Sequence, residues 1–284
     1  MRNITSQLHD ILHSDFLEDR LKLPSFPGVA LQVAREVNKP SSTARSVAEI
    51  VAEDPILTGR VFAVANSSGF PGDSNTVTTL PTAVGRLGLY GTRNVVMAFS
   101  LKHMSSNITA RYRNVYQQSI VEAQQLAATA HTLASYIPKM DAEAALAFGL
   151  LCDIGKIPIL ARIDEFDKTL PPDIVAQCCN SLHPLMGGWV LSSWKMWQEL
   201  VLLPTISHHW YRPVASNELN LGEVITAAKI LLPSGQALGA PSLGETPIGR
   251  LLTEKYEVPL HDDGTIPSAL ASRIARKQTE LLAA

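Results

Sequence analysis

The stretch Gly149–Lys156, GLLCDIGK, decides the fold. Taken with the residues before it, AEAALAFGLLCDIG from Ala142, it is apolar on every side. A helix of that kind belongs at the centre of a helical lobe. The Gly155-Lys156 turn predicts its end. In its last turn stand Cys152 and Asp153, a small thiol beside an acid. An acid there either has a structural role, capping a helix or accepting a hydrogen bond, or it helps to hold a cation.

The rest of the chain sets the frame. Its 284 residues suffice for one large domain or two small ones. Hydrophobic residues are 46% and charged residues 18%, so a packed core is expected and global disorder is not. The net charge of -2 argues against a dedicated nucleic-acid binder. The three cysteines, Cys152, Cys178 and Cys179, cannot build a disulfide framework and form no C-x-x-C pair, so they read as reduced, buried thiols. The N-terminus has no signal-peptide core, and no run of about 18 uninterrupted apolar residues predicts a membrane span. The expectation is a soluble, cytoplasmic protein.

The pattern is helical almost throughout. After the turn LPSFPG, Val29, Val33 and Val37 form one apolar stripe with Ala30 and Ala34. Ser42 or Thr43 caps the next helix, which buries Val47, Ile50 and Val51. Asp54-Pro55 starts another, with Leu57, Val61, Val64 and Ala65 on one face and the turn Asn66–Gly69 after it. A Thr/Ser-rich loop, GDSNTVTT, leads to a short helix ending near Gly88 and a longer one from about Gly91. The first lobe ends near residue 112. From Arg113, a long helix carries the small stripe Val115, Ser119, Ala123, Ala127, Ala130 and Ala134. Leu182-His183-Pro184 reads as the opening of a further helix bearing Met186 and Val190. Residues 233–248 are rich in Gly, Pro and Ser and read as a connection. The last helix, SALASRIARKQTELL, is amphipathic, with Arg273, Arg276 and Lys277 on a solvated face.

These stretches carry a family resemblance. LPSFPGVALQVAREV, AEIVAEDPILTGRVFAVANSSGF and TTLPTAVGRLGLYGTRNVVM resemble, in order, the first lobe of the HDOD domain, an HD-related output domain of bacterial signalling proteins. GLLCDIGK, His183 with Gly187, and His208-His209 continue the resemblance into the second lobe, so that it covers about residues 20–230. It implies an all-α, two-lobed fold. A helical lobe (20–112) precedes an HD-like lobe (113–230), with a connection and amphipathic helix over 231–284. It also implies a stand-alone regulatory or scaffolding module related to HD phosphohydrolases.

Active relatives in that superfamily hold one or two divalent metals, which polarise phosphoryl oxygens and activate water. Compared with them, this chain has Gln118 where the first metal-binding His belongs and Cys152 in place of the His of the His-Asp pair. Asp153, His183, His208 and His209 remain. The last acid is expected near Lys229, yet no Asp or Glu occurs between Ile225 and Leu232, and a lysine there repels a metal ion. The ligand set is incomplete. Cys152 then reads as a small buried residue, and Asp153 as a cap or an acceptor from His183 or His208. Lys156, which assists at the phosphate in active relatives, reads equally as a surface charge near a helix end. No cofactor is expected; the alternative is a divalent metal at Asp153, His183 and His208.

No P-loop, G-x-S-x-G elbow, H-E-x-x-H motif or dinucleotide fingerprint occurs. Three functional classes follow. The first is a non-catalytic signalling module with a protein partner or a nucleotide-like ligand. The second is a metal-dependent phosphohydrolase of nucleotides or cyclic dinucleotides. The third is a homodimeric structural protein. Two candidate surfaces stand out. All four tryptophans, Trp189, Trp194, Trp197 and Trp210, fall in one short window as a core or groove wall. Arg86, Arg93, Lys102, His103, Arg111 and Arg113 could line a basic zone for an anionic partner.

Overall fold

The structure is a computed structural model that describes residues 4–18, 20, 27–67, 76–104, 108–215, 217–261 and 263–282. No strand occurs among them, and the fold is all-α. Residues 23–26 of the LPSFPG turn, residues 68 and 69 of the turn after the Asp-Pro helix, and the head of the GDSNTVTT loop lie outside the described residues.

In chain order, the first helices are α1 (Ile4–Leu17), α2 (Gly28–Val37), α3 (Ala44–Val51), α4 (Pro55–Ala65), α5 (Leu80–Leu87) and α6 (Leu89–His103). Then come α7 (Arg113–Ala134), α8 (Ala142–Leu151), α9 (Lys156–Phe166), α10 (Pro172–Ser193), α11 (Gln198–Ile206) and α12 (Leu221–Leu231). The tail holds α13 (Pro233–Ala237), α14 (Pro247–Arg250) and α15 (Ser268–Leu282).

Local chemistry places the helix starts. Thr43 and Ser46 form a reciprocal capping box at the head of α3. The Asp54 carboxylate accepts from the amides of Ile56 and Leu57, with Pro55 at the first helical position of α4. Gly88, at φ 76°, makes the sharp junction of α5 and α6 that a side chain would strain.

Helices α2–α6 pack on one another as the first lobe, and α7–α12 form the second. One continuous apolar cluster runs through both. The α6–α8 seam is also polar: Arg93, 2% exposed, and Asn94 donate to the carbonyl oxygen of Glu143, and Asn94 donates to its carboxylate at 2.6 Å. The N-terminal helix α1 packs on α9 and α10 of the second lobe. It buries Leu8 and Leu12, and Asp15 pairs with Arg162 at 2.9 Å.

The tail corrects one expectation. Helix α15 lies on α7, and two of its cations are engaged rather than merely solvated. Arg273 donates to the Tyr136 hydroxyl at 2.5 Å and to Ser135 Oγ at 3.2 Å, and Lys277 meets Glu143 at 3.3 Å. Glu143 thus ties α6, α7, α8 and α15 together. Burial would raise its pKa, but the His131 hydrogen bond and the Lys277 charge outweigh it and hold the carboxyl at about 2.

The centre of the second lobe is α8, as its all-round apolarity predicts. It crosses α7 at backbone distance: a Cβ on Gly149 would lie 2.5 Å from the Cα of Ala127. The small stripe of α7 exists for that approach. Residues Ala142–Ile163, although interrupted by Asp153 and Lys156, are long and apolar enough in composition to cross a membrane. In this fold they are a core element instead. A turn at 152–155 breaks them, and 83% of their most apolar window is buried.

A second correction concerns α10. It does not open at His183 but runs unbroken through Pro184. A proline inside a helix leaves the carbonyl four residues back without its donor. Here that carbonyl belongs to Asn180, and His183 Nδ1 lies 3.1 Å from it and 3.1 Å from the carbonyl of Cys179. The imidazole repairs the gap, which lets the helix continue.

Candidate functional site

Four elements converge beneath the end of α8. The 152–155 turn supplies Asp153, α10 supplies His183, the end of α11 supplies Ser207 and His208, and α12 supplies Lys229. Two backbones touch to make this possible. A Cβ on Gly155 would lie 2.2 Å from the His183 carbonyl oxygen and 2.4 Å from the Gly187 nitrogen. Only a residue without a side chain permits α10 to bring His183 against Asp153.

The backbone carbonyls beside His183 Nδ1 are acceptors only, so that nitrogen carries the proton. Nε2 then presents a lone pair, 3.2 Å from Asp153 Oδ1. Both atoms are buried and neither has a hydrogen-bond partner. With His208, these residues can bring one ligand atom each within 4.8 Å of one another. A pair of buried acceptors facing each other calls for a cation.

The cation is already part of the chain. Lys229, 5% exposed, places Nζ 2.7 Å from Asp153 Oδ1 and 2.7 Å from His208 Nε2. Its contact with Asp153 has ion-pair distance without hydrogen-bond alignment, which is why Oδ1 stays unpaired in the hydrogen-bond sense. Divalent ions such as zinc bind carboxylate and imidazole at about 2.0–2.2 Å. An ion at that distance from Asp153 and His208 would overlap the ammonium and be repelled by it. The residues present therefore do not fit a divalent metal.

Lys156 is not the surface charge its position suggests. It is 4% exposed, and Nζ lies 3.2 Å from Asp153 Oδ2 and 3.0 Å from Glu122 Oε2. Burial disfavours its ammonium form, but Asp153 and Glu122 outweigh burial and hold its pKa above the usual lysine value. For Asp153, burial opposes the charge, while the Lys229 and Lys156 charges overcome it and keep the carboxyl well below the usual range. Two acids and two lysines make a neutral, closed quartet.

The remaining predicted positions separate. Cys152 is fully buried, with Sγ 3.3 Å from Ser207 Oγ, and burial pushes its thiol pKa up; it is packed as a thiol, not poised as a thiolate ligand. Gln118 is exposed and donates to Glu122 Oε1 at 3.2 Å. With Glu122, Lys156, Cys179 and Asn180 it lines a cavity of about 390 Å³ on the outer side of the quartet. His209 is exposed and stays outside the cluster. Glu122 and Ser207 are site residues that the sequence did not disclose. The one available signal was Glu122 standing one helical turn after Gln118.

The tryptophans do not share one surface. Trp194 is core, Trp189 stacks on Phe16 of α1 at 4.1 Å, Trp197 packs on Phe148 at 5.8 Å, and Trp210 stacks on His208 at 5.4 Å. Of the four, Trp210 alone touches the site. The basic zone also divides. Arg93 is buried, Arg86 donates to the Ala65 carbonyl, and Arg111 donates to the carbonyls of Thr169 and Leu170. Lys102, His103 and Arg113 remain together around a separate cavity.

Burial, followed by the neighbouring Lys229 charge, lowers the His208 pKa to about 3 from an ordinary 6.5. Burial lowers that of His183 in the same direction. The unfolded chain then binds more protons than the folded one between pH about 6.5 and 3. Stability contributed by the neutral rings is complete above about 6.5 and falls as pH drops through that window. Urea midpoints at pH about 7.5 and 5 should show the decline. His208→Gln keeps an acceptor for Lys229 and removes the titration, so its midpoint should fall less between the two pH values. An equal fall would show that His208 is not held neutral by the cluster.

A family model described as HDOD domain matches residues 23–210. No curated protein sequence matches. Among solved structures, one from Shewanella amazonensis, provisionally named a metal-dependent phosphohydrolase, is 20% identical with a TM-score of 0.74, over 98% of this chain and 99% of its own. An HDOD domain protein of unknown function from Geobacter sulfurreducens is 18% identical with a TM-score of 0.65, over 98% of each chain. A provisionally named signal transduction protein from Marinobacter aquaeolei is 18% identical with a TM-score of 0.64, over 99% of this chain and 66% of its own. At these identities the likeness is one of fold.

Proposed function

The chain belongs to the HDOD domain family, and on that premise we propose that it is a non-catalytic regulatory module of signal transduction, working by binding and not by turnover. The observation that carries this reading is Lys229. Metal-assisted phosphoester hydrolysis needs a divalent ion with an open coordination position for water. Here an ammonium group stands between Asp153 and His208, and its charge is neutralised on the spot. A site whose cation cannot exchange ligands offers no activated water.

The retained ionic quartet, with His208 as a further acceptor for Lys229, then acts structurally, tying α7, α9, α12 and the turns after α8 and α11 in one arrangement. A rigid helical frame suits a module that presents surfaces to a protein partner or holds a small ligand. The three free, buried thiols support a reducing compartment, and we place the protein in the cytoplasm. Resemblance to a structure named as a phosphohydrolase favours the competing enzymatic reading, as does the retention of Asp153 and His183.

One experiment separates the two. Protein purified without chelator is assayed for bound metal by elemental analysis and for turnover of phosphodiester and nucleotide substrates in manganese. We expect no stoichiometric metal and no turnover above buffer. Stoichiometric metal accompanied by hydrolysis, both abolished by Asp153→Asn, would overturn the proposal.

A further inference from the structure

The cavity between α6 and α7 lies apart from the quartet and has a volume of about 400 Å³. Lys102 and His103, at the end of α6, form one side of it. Arg113, Tyr116, Ile120 and Gln124 form the other, spaced at three or four residues along one face of α7. The size is that of a small-molecule site, and the mix of apolar wall with a few polar groups is that of one too.

Three observations define what it would take. First, no acid lines it, and neither Lys102 nor Arg113 has an ion-pair partner among the described residues. On a chain of net charge -2, an acid-free wall with two free cations selects an anion. Secondly, Gln124 is 3% exposed and its Oε1 has no hydrogen-bond partner. That oxygen is closed to solvent in the free protein, so a ligand N–H or O–H reaches it when the amide turns about its last torsion, and pairing it removes the penalty of a buried, unmade hydrogen bond. Thirdly, Ile120 and the buried Tyr116 ring supply an apolar wall for a flat body.

Spacing narrows the ligand. Arg113 and Gln124 stand eleven residues apart on α7, about 16 Å along the axis at 1.5 Å per residue. Long side chains shorten that distance, but a compact oxyanion cannot reach both ends. The ligand must be extended, with its charge at one end and a donor on a planar apolar body at the other.

We propose that this cavity binds a free nucleoside polyphosphate, with its phosphates on Lys102 and Arg113 and a base N–H donating to Gln124. His103, stacked on Phe99 at 4.1 Å, closes the phosphate end. The site is independent of the Asp153 cluster, so its failure would leave the non-catalytic reading intact.

Isothermal titration of the full chain in chelator tests it, with ATP, GTP, adenosine, inorganic phosphate and a short single-stranded RNA as probes. One of the nucleoside triphosphates should bind saturably, at least about tenfold tighter than adenosine, inorganic phosphate or the RNA. Lys102→Glu and Arg113→Glu, both exposed in the free protein, should each weaken it about tenfold without shifting the melting temperature. Gln124→Met should reduce the preference between the two triphosphates. No saturable binding up to about 1 mM would overturn the proposal. So would equal affinity for inorganic phosphate, tighter binding of the RNA, or indifference to both charge reversals.

Discussion

Lys229→Met should destabilise the fold by about 3–5 kcal/mol at neutral pH, the range for breaking a buried ion pair by removing one partner. Methionine fills nearly the same volume, so the loss is electrostatic and not a cavity effect. Without the ammonium, Asp153 Oδ1 faces only the His183 Nε2 lone pair at 3.2 Å, and His208 Nε2 loses its donor. Lys156 still holds Oδ2 at 3.2 Å but is shared with Glu122. The deficit should depend on pH in a stated direction. In the native protein the Asp153 pKa is depressed, so its contribution is present above the unfolded value of about 4 and is lost as pH falls through the folded value. In the variant, burial is less opposed and the folded pKa rises. The gap between variant and native protein should therefore be widest at neutral pH and narrow as pH falls through the variant's raised Asp153 pKa toward the native one. Urea denaturation at several pH values, in chelator so that no stray cation refills the site, measures this. Asp153→Asn added to Lys229→Met should recover part of the loss, because the pair is then neutral. A variant within about 1 kcal/mol of the native protein at neutral pH would show that the two charges are not coupled as placed.

The same cluster shows what a sequence discloses and what it withholds. Caps are local, and they were legible: Thr43 and Asp54-Pro55 sit where their chemistry demands. The all-round apolarity of Ala142–Leu151 announced a central helix, and the α7 small stripe announced a close neighbour. That Gln118, Cys152 and Lys229 stand where ligands are expected was legible as well. The contacts that these positions and their neighbours make were not. Lys156 meets Glu122 from 34 residues away, and Lys229 meets His208 across 21. Such pairs carry no periodic signal, so each lysine read singly looks like a surface charge or a repulsive one. Pro184 misled for a related reason. Proline marks helix starts by a local rule, and the local rule fails when a neighbouring side chain supplies the missing donor. Helix α1 carried a readable pair, Leu8 and Leu12 one turn apart, but its partner helices lie well over a hundred residues downstream.

Gly155→Ala isolates the backbone contact on which the site depends. Gly155 has φ -62° and ψ -15°, a conformation alanine adopts freely, so no torsional strain enters. Backbone entropy alone would make the change stabilising by about 0.4–1 kcal/mol. Sterics reverse the sign. The new Cβ would lie 2.2 Å from the His183 carbonyl oxygen and 2.4 Å from the Gly187 nitrogen, and both are main-chain atoms that cannot rotate away. Either α9 and α10 separate or the 152–155 turn shifts, and Asp153 and His183 move apart in both cases. Overpacking typically costs about 1–3 kcal/mol, and a clash with backbone belongs at or above the upper end, so a loss of about 3 kcal/mol or more is expected. Gly85→Ala is the matched control. It lies inside α5, where an added Cβ would meet no atom within 4 Å, so there the entropic gain should appear unopposed. Thermal and urea unfolding of the two variants side by side should give opposite signs. If Gly155→Ala were neutral, α10 would not approach the Asp153 turn at backbone distance, and the ionic quartet would lose the contact that holds its acid and its histidine together.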